Sequence, residues 1–327
     1  AMAQVLAQSV HEGRKFHFGL SAYPVSGFGV GRERLKALGL EIKKSLKQGG
    51  ASVRLVESRS PNLSSVDVAK NKLLDAGVEL CLFPLGKKLL VGKTEAVQPF
   101  EEYSERDYGR PGRDAKRGML PPKLARMMIN FASCPEGGLI LDPFCGSGTV
   151  LQEALLLGYR AMGSDIDEAA VRDTKKNIEW LAKEQGLAMP EPRIEAIDVR
   201  KLDESVAESS IDAIVTEVDL GPPLSGDESE AKVMGIERSL SEFYGEALAK
   251  MRFALKPGGR AVVAWPYFAK HNISLSVFGK LADLGWSMVP PYPKEFQNTY
   301  PLSDRGTLLY GRPGQHVFRE IVILEKK

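Results

Sequence analysis

A chain of 327 residues, 43% hydrophobic and 26% charged, is long enough for two domains and too apolar to be an unfolded polyelectrolyte. No apolar run approaches a membrane span and the start does not read as a signal peptide, so no membrane role is expected. Three cysteines (Cys81, Cys134 and Cys145) lack metal-ligand spacing, and their scarcity suits a reducing, cytoplasmic setting with no metal site.

Net charge is +2 but uneven. Counting Lys and Arg against Asp and Glu, residues 1–126 carry +9 and residues 127–327 carry −7. That split suits a basic half holding a polyanion, with chance and solvated surface as the plainer alternative. Ala1-Met2-Ala3 reads as a cloning remnant.

In chain order, "KFHFGLSAY" predicts a first strand, and "RERLKALGLEIKKSLKQGG" a helix with Leu35, Leu38, Ile42 and Leu46 at helical intervals. "ASVRLVES" predicts a second strand. A helix over 64–77 follows, with Ser64 or Ser65 as its N-cap, then strand segments at 76–95 broken by Pro-Leu-Gly. This is a small α/β domain over 1–98, followed by a basic linker over 99–122. From 123 to 327 the rhythm changes to βα units. Strands are expected at 139–142, 160–165, 193–198, 212–217 and 260–266, and helices near 149–156, 168–184 and 235–255. "MLPPKLARMM" starts a helix with Pro122 in its first turn. "TLLYGR" and "HVFREIVILE" close the chain as an antiparallel pair. The fold class is therefore α/β: an open, mostly parallel sheet with a terminal hairpin, preceded by a smaller α/β domain.

"LILDPFCGSGTVLQEALLLG" sets Asp142 at a strand end, then Gly146 and Gly148, then a helix. The glycines admit a ligand close to the backbone, and the helix offers unpaired N–H groups. Position 151 is Leu, so the dinucleotide G-x-G-x-x-G pattern fails, and Asp142 would repel a phosphate. A cationic, phosphate-free adenosine ligand, S-adenosylmethionine, fits better. Asp165 ends the second strand, where a carboxylate can hold ribose hydroxyls. Asp198 closes the third and can accept from an adenine amino group. Each acid alone is more often a cap, and Asp167 caps the next helix, but three at successive strand ends line the edge where such sheets bind ligands.

"DPFCGSGTVLQEALLLGYRAMGSDID", preceded by "RPGRDAKRGMLPPKLARMMINFA", resembles the S-adenosylmethionine-dependent tRNA guanosine-N2 methyltransferases acting in the D-arm region, as does "LLYGRPGQHVFREIVILEK" at the end. In that family a THUMP RNA-binding module precedes a Rossmann-like class I methyltransferase domain. The resemblance implies that Asp142, Pro143, Phe144, Gly146, Gly148 and the adjoining Thr149 hold the methionine moiety. It places ribose on Asp165 beside Ile166, and adenine on Asp198 beside Val199. Residues 1–98 resemble the THUMP portion less specifically. They are short for it, so a trimmed N-terminus is expected.

Residues 106–126 contain seven basic and two acidic residues. Arg106, Arg110, Arg113, Lys116 and Arg117, with Tyr108, are candidate RNA contacts through phosphate oxygens and base stacking. The competing reading is an inter-domain strap whose arginines pair with acids across the interface.

The family's acceptor loop is Asp-Pro-Pro-Tyr after the fourth strand. Here the strand runs into Glu217-Val218-Asp219-Leu220-Gly221-Pro222-Pro223. Strand register makes Glu217 the acceptor acid, which we prefer, whereas reading from Pro222 and Pro223 makes it Asp219. The stacking aromatic is missing, with Phe243, Tyr244, Trp265 and Tyr267 as substitutes. The expected function is methyl transfer to guanosine N2 in tRNA or another structured RNA. Adenine N6 or a guanine in rRNA are alternative acceptors. A non-catalytic RNA-binding protein, or a subunit needing a homodimer or an activating partner, is the reading of another class.

Overall fold

The apolar segment Phe16–Ala22 (β1) is buried along nearly its whole length because it lies inside a sheet of order β2-β1-β3-β4. β2 (Val53–Val56) and β3 (Gly77–Leu85) flank it in parallel, and β4 (Lys88–Lys93) returns antiparallel on β3. The computed structural model describes residues 2–7, 15–25, 29–113, 119–186, 190–297 and 299–327. Its chain divides into two compact units, Ala1–Tyr103 and Ser104–Lys327. In the first, α1 (Met2–Ala7) precedes β1, and α2 (Arg32–Gln48) turns Leu35, Ile42 and Leu46 into a core with Phe16, Phe18 and Leu20. α3 (Ser65–Lys70) opens with a capping box between Ser64 and Asp67. It is shorter than expected: Asn71 caps it and Lys72 has φ +53°, which ends the helical run. Pro84 stays inside β3, because β1 pairs only as far as Leu82 and the missing N–H leaves no broken bond there. The turn falls instead at Gly86, φ +59°.

The second unit holds the larger sheet, of order β10-β12-β9-β8-β5-β6-β7, with β11 on β12. Its strands are β5 (Leu139–Asp142), β6 (Arg160–Asp165), β7 (Arg193–Ala196), β8 (Ile211–Glu217), β9 (Leu255–Phe268), β10 (Trp286–Met288), β11 (Leu308–Tyr310) and β12 (Val317–Lys326). The pairings from β7 through β9 are parallel, and β12 is antiparallel to β9, β10 and β11. The short edge strand β10 was not expected from the sequence. After α4 (Phe100–Ser104), the helices are α5 (Pro122–Phe131), α6 (Thr149–Leu156), α7 (Glu168–Gln185) and α8 (Glu230–Ala254). Successive side chains of a strand point to opposite faces. Ile140, Ala213, Val215 and Val262 accordingly join α5, α6 and α7 in one core, while Leu141, Ile214 and Val263 join α8 in the other. Covering both faces requires continuously apolar strands, which is why "AIV" and "AVVAW" show no alternation. No helix among the described residues is long and apolar enough to cross a membrane.

The sheet order reverses at β5: β6 and β7 lie on one side, β8 and β9 on the other. The loops after β5 and β8 therefore diverge and leave a crevice at the carboxyl ends, the usual ligand position in such sheets. Ile140 is fully buried at the centre of this arrangement. Ile140→Ala is expected to lower the unfolding free energy of the second unit by about 2–5 kcal/mol, read from urea denaturation.

Candidate functional site

The crevice beside β5 is lined by Asp142, Phe144, Gly146, Thr149, Met119 and Glu217 among others. Asp142 is the deepest polar group, 2% exposed. Its Oδ1 accepts from the Thr216 hydroxyl (2.6 Å) and the Phe144 N–H (3.1 Å), both neutral donors. Burial, only partly offset by those bonds, pushes its carboxyl up to about 7. A buried acid at a cleft wall, without a cationic partner among the described residues, suits a cationic ligand group. Gly146, φ +52°, adds an open side: a Cβ there would meet only the Phe144 carbonyl, 4.0 Å away. The aminoacyl end of S-adenosylmethionine, with its ammonium, fits this acid and cradle.

α7 braces the glycine loop. Thr174 donates to the Gly146 carbonyl at 2.7 Å, and the Asn177 amide to the Ser147 carbonyl at 2.8 Å. Gly148 must be glycine, because its φ is +83° and a Cβ would sit 2.7 Å from Thr174 Cγ2. Asn177 also exchanges two hydrogen bonds, each 2.7 Å, with the backbone of Gly112. Residues 104–113 are thus bound into the second unit. Sequence reasoning missed Thr174, Asn177 and Thr216, since ordinary polar residues on a helix and a strand carry no motif.

This packing corrects the reading of two arginines as RNA contacts. Arg106 and Arg110 are each 3% exposed and point inward. Arg106 Nε donates to the fully buried Glu153 (2.6 Å), and Arg110 Nη1 to the Thr149 hydroxyl (2.7 Å). Burial pulls the Arg110 guanidinium down to about 10. Arg106 thus pairs with an acid and Arg110 with a hydroxyl, both inside the second unit. Tyr108, by contrast, is 58% exposed, with the exposed Arg113 guanidinium 4.9 Å from its ring centroid. Lys116 and Arg117 lie outside the described residues.

Asp165 and Asp198, the acids assigned to ribose and adenine, do not line the crevice with Asp142. Asp165 accepts from the Gly146 N–H (2.9 Å) and the Asp167 N–H (3.0 Å), so both its oxygens have backbone partners. Asp198 caps a 3-10 turn and is clamped by Arg200 at 2.5 Å, which holds its carboxyl below the usual range. It lines a separate depression with the exposed Ile166. Val199 is a correction: it is buried in the hydrophobic core and faces no ligand surface. Pro143 is buried behind the glycine loop. Arg200 also lies 5.6 Å over the Phe243 ring, and Phe243 meets Phe144 edge-on at 6.0 Å. Phe243 is thus the aromatic that flanks the crevice wall. Tyr244 and Trp265 are each 1% exposed, with their polar tips on the Asp219 carbonyl and Glu320, so neither offers a stacking face. Tyr267 is half-buried, its hydroxyl on Asn272.

After β8, Glu217 lines the crevice and receives a hydrogen bond from Arg319 Nε. Burial raises its carboxyl and Arg319 opposes the rise. Asp219 is exposed and folds back on the Gly221 N–H (3.0 Å), and Pro222 and Pro223 are exposed.

Sheet order, the glycine turn and the strand-end acid define a Rossmann-like class I methyltransferase fold. Residues 110–272 match the UPF0020 family model, an RMKL-like methyltransferase domain. The tRNA (guanine(10)-N2)-dimethyltransferase of Methanothermobacter thermautotrophicus is 38% identical over 153 residues, 46% of this chain and 40% of that one. The enzyme of the same name from Methanocaldococcus jannaschii is 30% identical over 235 residues, 69% of this chain and 56% of that one. The chain thus spans about half the length of these relatives. In structure, TrmN from Thermus thermophilus superposes with a TM-score of 0.53 at 19% identity, covering 100% of this chain and 78% of that one.

The raised Asp142 pKa has a consequence for stability. Between 3.8, the value for the unfolded chain, and about 7, the folded protein holds a proton that the unfolded chain has released. The unfolded state binds fewer protons, so this group's contribution to stability falls as pH rises through that window. Asp142→Asn is expected to gain on the wild type by a few kcal/mol, on the order of 2–4, between about pH 4 and about pH 8, measured by urea denaturation.

Proposed function

We propose that the protein transfers a methyl group from S-adenosylmethionine to the exocyclic N2 of a guanosine in tRNA. The observation that carries this reading is the pair of acids in one crevice: Asp142, without a cationic partner among the described residues, and Glu217, at the end of the adjacent strand. The names of the two relatives support the acceptor.

S-adenosylmethionine supplies an electrophilic methyl group on a sulfonium. Asp142 holds the ligand's ammonium, while the backbone of Gly146 and Ser147 gives it room. Asp165 and Ile166 are assigned to the ribose side, and Asp198 to the adenine side, through oxygen lone pairs their present partners leave open. Glu217 is the acceptor acid. The guanine N2 lone pair is delocalised into the ring, so orientation matters more than raw basicity. A carboxylate accepting one N–H would turn the amine toward the methyl carbon and take that proton as the N–C bond forms and the sulfonium's S–CH3 bond breaks, releasing the neutral thioether. Glu217 is preferred to Asp219 because it lines the crevice, whereas Asp219, Pro222 and Pro223 belong to an exposed turn.

RNA would be held by the first unit, read as a THUMP-like module, and by Tyr108 with Arg113, an exposed ring under a guanidinium that suits a base and its phosphate. Lys116 and Arg117 extend the same basic run. Labelled S-adenosylmethionine and unmodified tRNA, followed by nucleoside analysis, test the reading. The expected product is N2-methylated guanosine, with kcat reduced about 100-fold or more in Glu217→Ala and changed less than about threefold in Asp219→Ala. N6-methyladenosine, or cofactor binding with no product on any tRNA, would overturn it.

A further inference from the structure

Glu217 receives its partner from the far end of the chain. β9 separates β8 from β12, with Glu217 opposite Ala264 and Arg319 opposite Pro266. The two contacted positions are two residues apart on β9 and so share one face of the sheet. It is the face on which Val215, Ala264 and Ile321 pack beneath α5 and α6. On that apolar face the Arg319 side chain crosses over β9 and its Nε donates to Glu217 Oε1. Side-chain exposures are 8% for Arg319 and 15% for Glu217. Oε2 of Glu217 takes no hydrogen bond among the described residues. Two charges so placed are costly to desolvate, and apolar residues of equal volume commonly serve stability as well. Architecture alone therefore gives a weak account of this pair, whose Glu217 stands in the crevice wall.

We propose that Arg319 is a positioning residue for methyl transfer: it pins the Glu217 carboxylate by one oxygen and leaves the other presented to the acceptor amine. The inference rests on the reading of Glu217 as acceptor acid and names the group that acid depends on. Glutamate carries one more rotatable bond than aspartate, and anchoring Oε1 removes the freedom that would otherwise blur the direction of Oε2. Charge matters equally. Among the described residues, the charged groups near Glu217 are Arg319 from β12 and Asp142 from β5, while β9 presents Ala264 and Pro266. Burial disfavours the ionised carboxylate, and Arg319 is the cation that offsets it.

The test follows the Glu217 carboxyl by carbon NMR in the full chain labelled at glutamate Cδ, its signal assigned by loss in Glu217→Gln. Wild type, Arg319→Gln and Arg319→Lys are titrated, and the pH profile of transfer to unmodified tRNA is recorded for each. Arg319→Gln is expected to raise the Glu217 titration and the acidic limb of kcat together by about one pH unit or more. It should also lower kcat near neutral pH by about tenfold or more, with the KM for S-adenosylmethionine changed less than about threefold. Arg319→Lys should restore the titration and most of kcat; it also serves if Arg319→Gln does not fold. An unmoved Glu217 titration, or a kcat reduced equally at every pH, would overturn the proposal. If the wild type methylates no tRNA while Glu217 still titrates with Arg319, control of the acid by Arg319 stands and the acceptor reading fails.

Discussion

Everything at the crevice depends on a carboxylate kept where water barely reaches. Asp142 sits at the reversal point of the sheet, and its hydrogen bonds come from the next turn and the next strand, Phe144 and Thr216. Neutral donors only partly offset the loss of hydration, so the group stays responsive to any cation brought beside it. The glycine loop, its bracing by Thr174 and Asn177, and the close approach of the strap all hold a wall of backbone around that acid.

The site's two acids are treated differently. Asp142 is left to a ligand, whereas Glu217, on the neighbouring strand, already has Arg319. A ligand that brings positive charge meets an acid held by neutral donors, and a neutral amine meets an acid whose charge is already balanced. The contrast matches the chemistry proposed for each, since an acceptor amine offers a hydrogen bond but no full charge with which to offset burial.

How much of this could be read from the sequence depends on the range of the interaction. β5, α6 and β6 fall where the sequence put them, because strand-long apolar runs and paired glycines are local signals. β10, three residues long, gives no such signal. Basic composition correctly drew attention to residues 106–113 but could not tell Arg106 and Arg110, facing Glu153 and Thr149, from the exposed Arg113. The Glu217–Arg319 pair joins residues 102 apart. Its one local trace is parity: Arg319 alternates with Ile321 and Ile323, which places a cation beside two buried isoleucines on one strand face.

The exchange between Asn177 and Gly112 also bears on how separable the two units are. Gly112 lies so close to α7 that a Cβ would stand 2.8 Å from Asp173 Cβ, and the same asparagine grips the glycine loop. Residues 104–113 therefore belong to the second unit and form no neutral hinge. Attaching another module to this fold would require the junction to fall ahead of Ser104 and the glycine to travel with the fold. A junction cut at the helix of Pro122 would strip the loop of its outer support. In this architecture the modular boundary and the chemical one do not coincide.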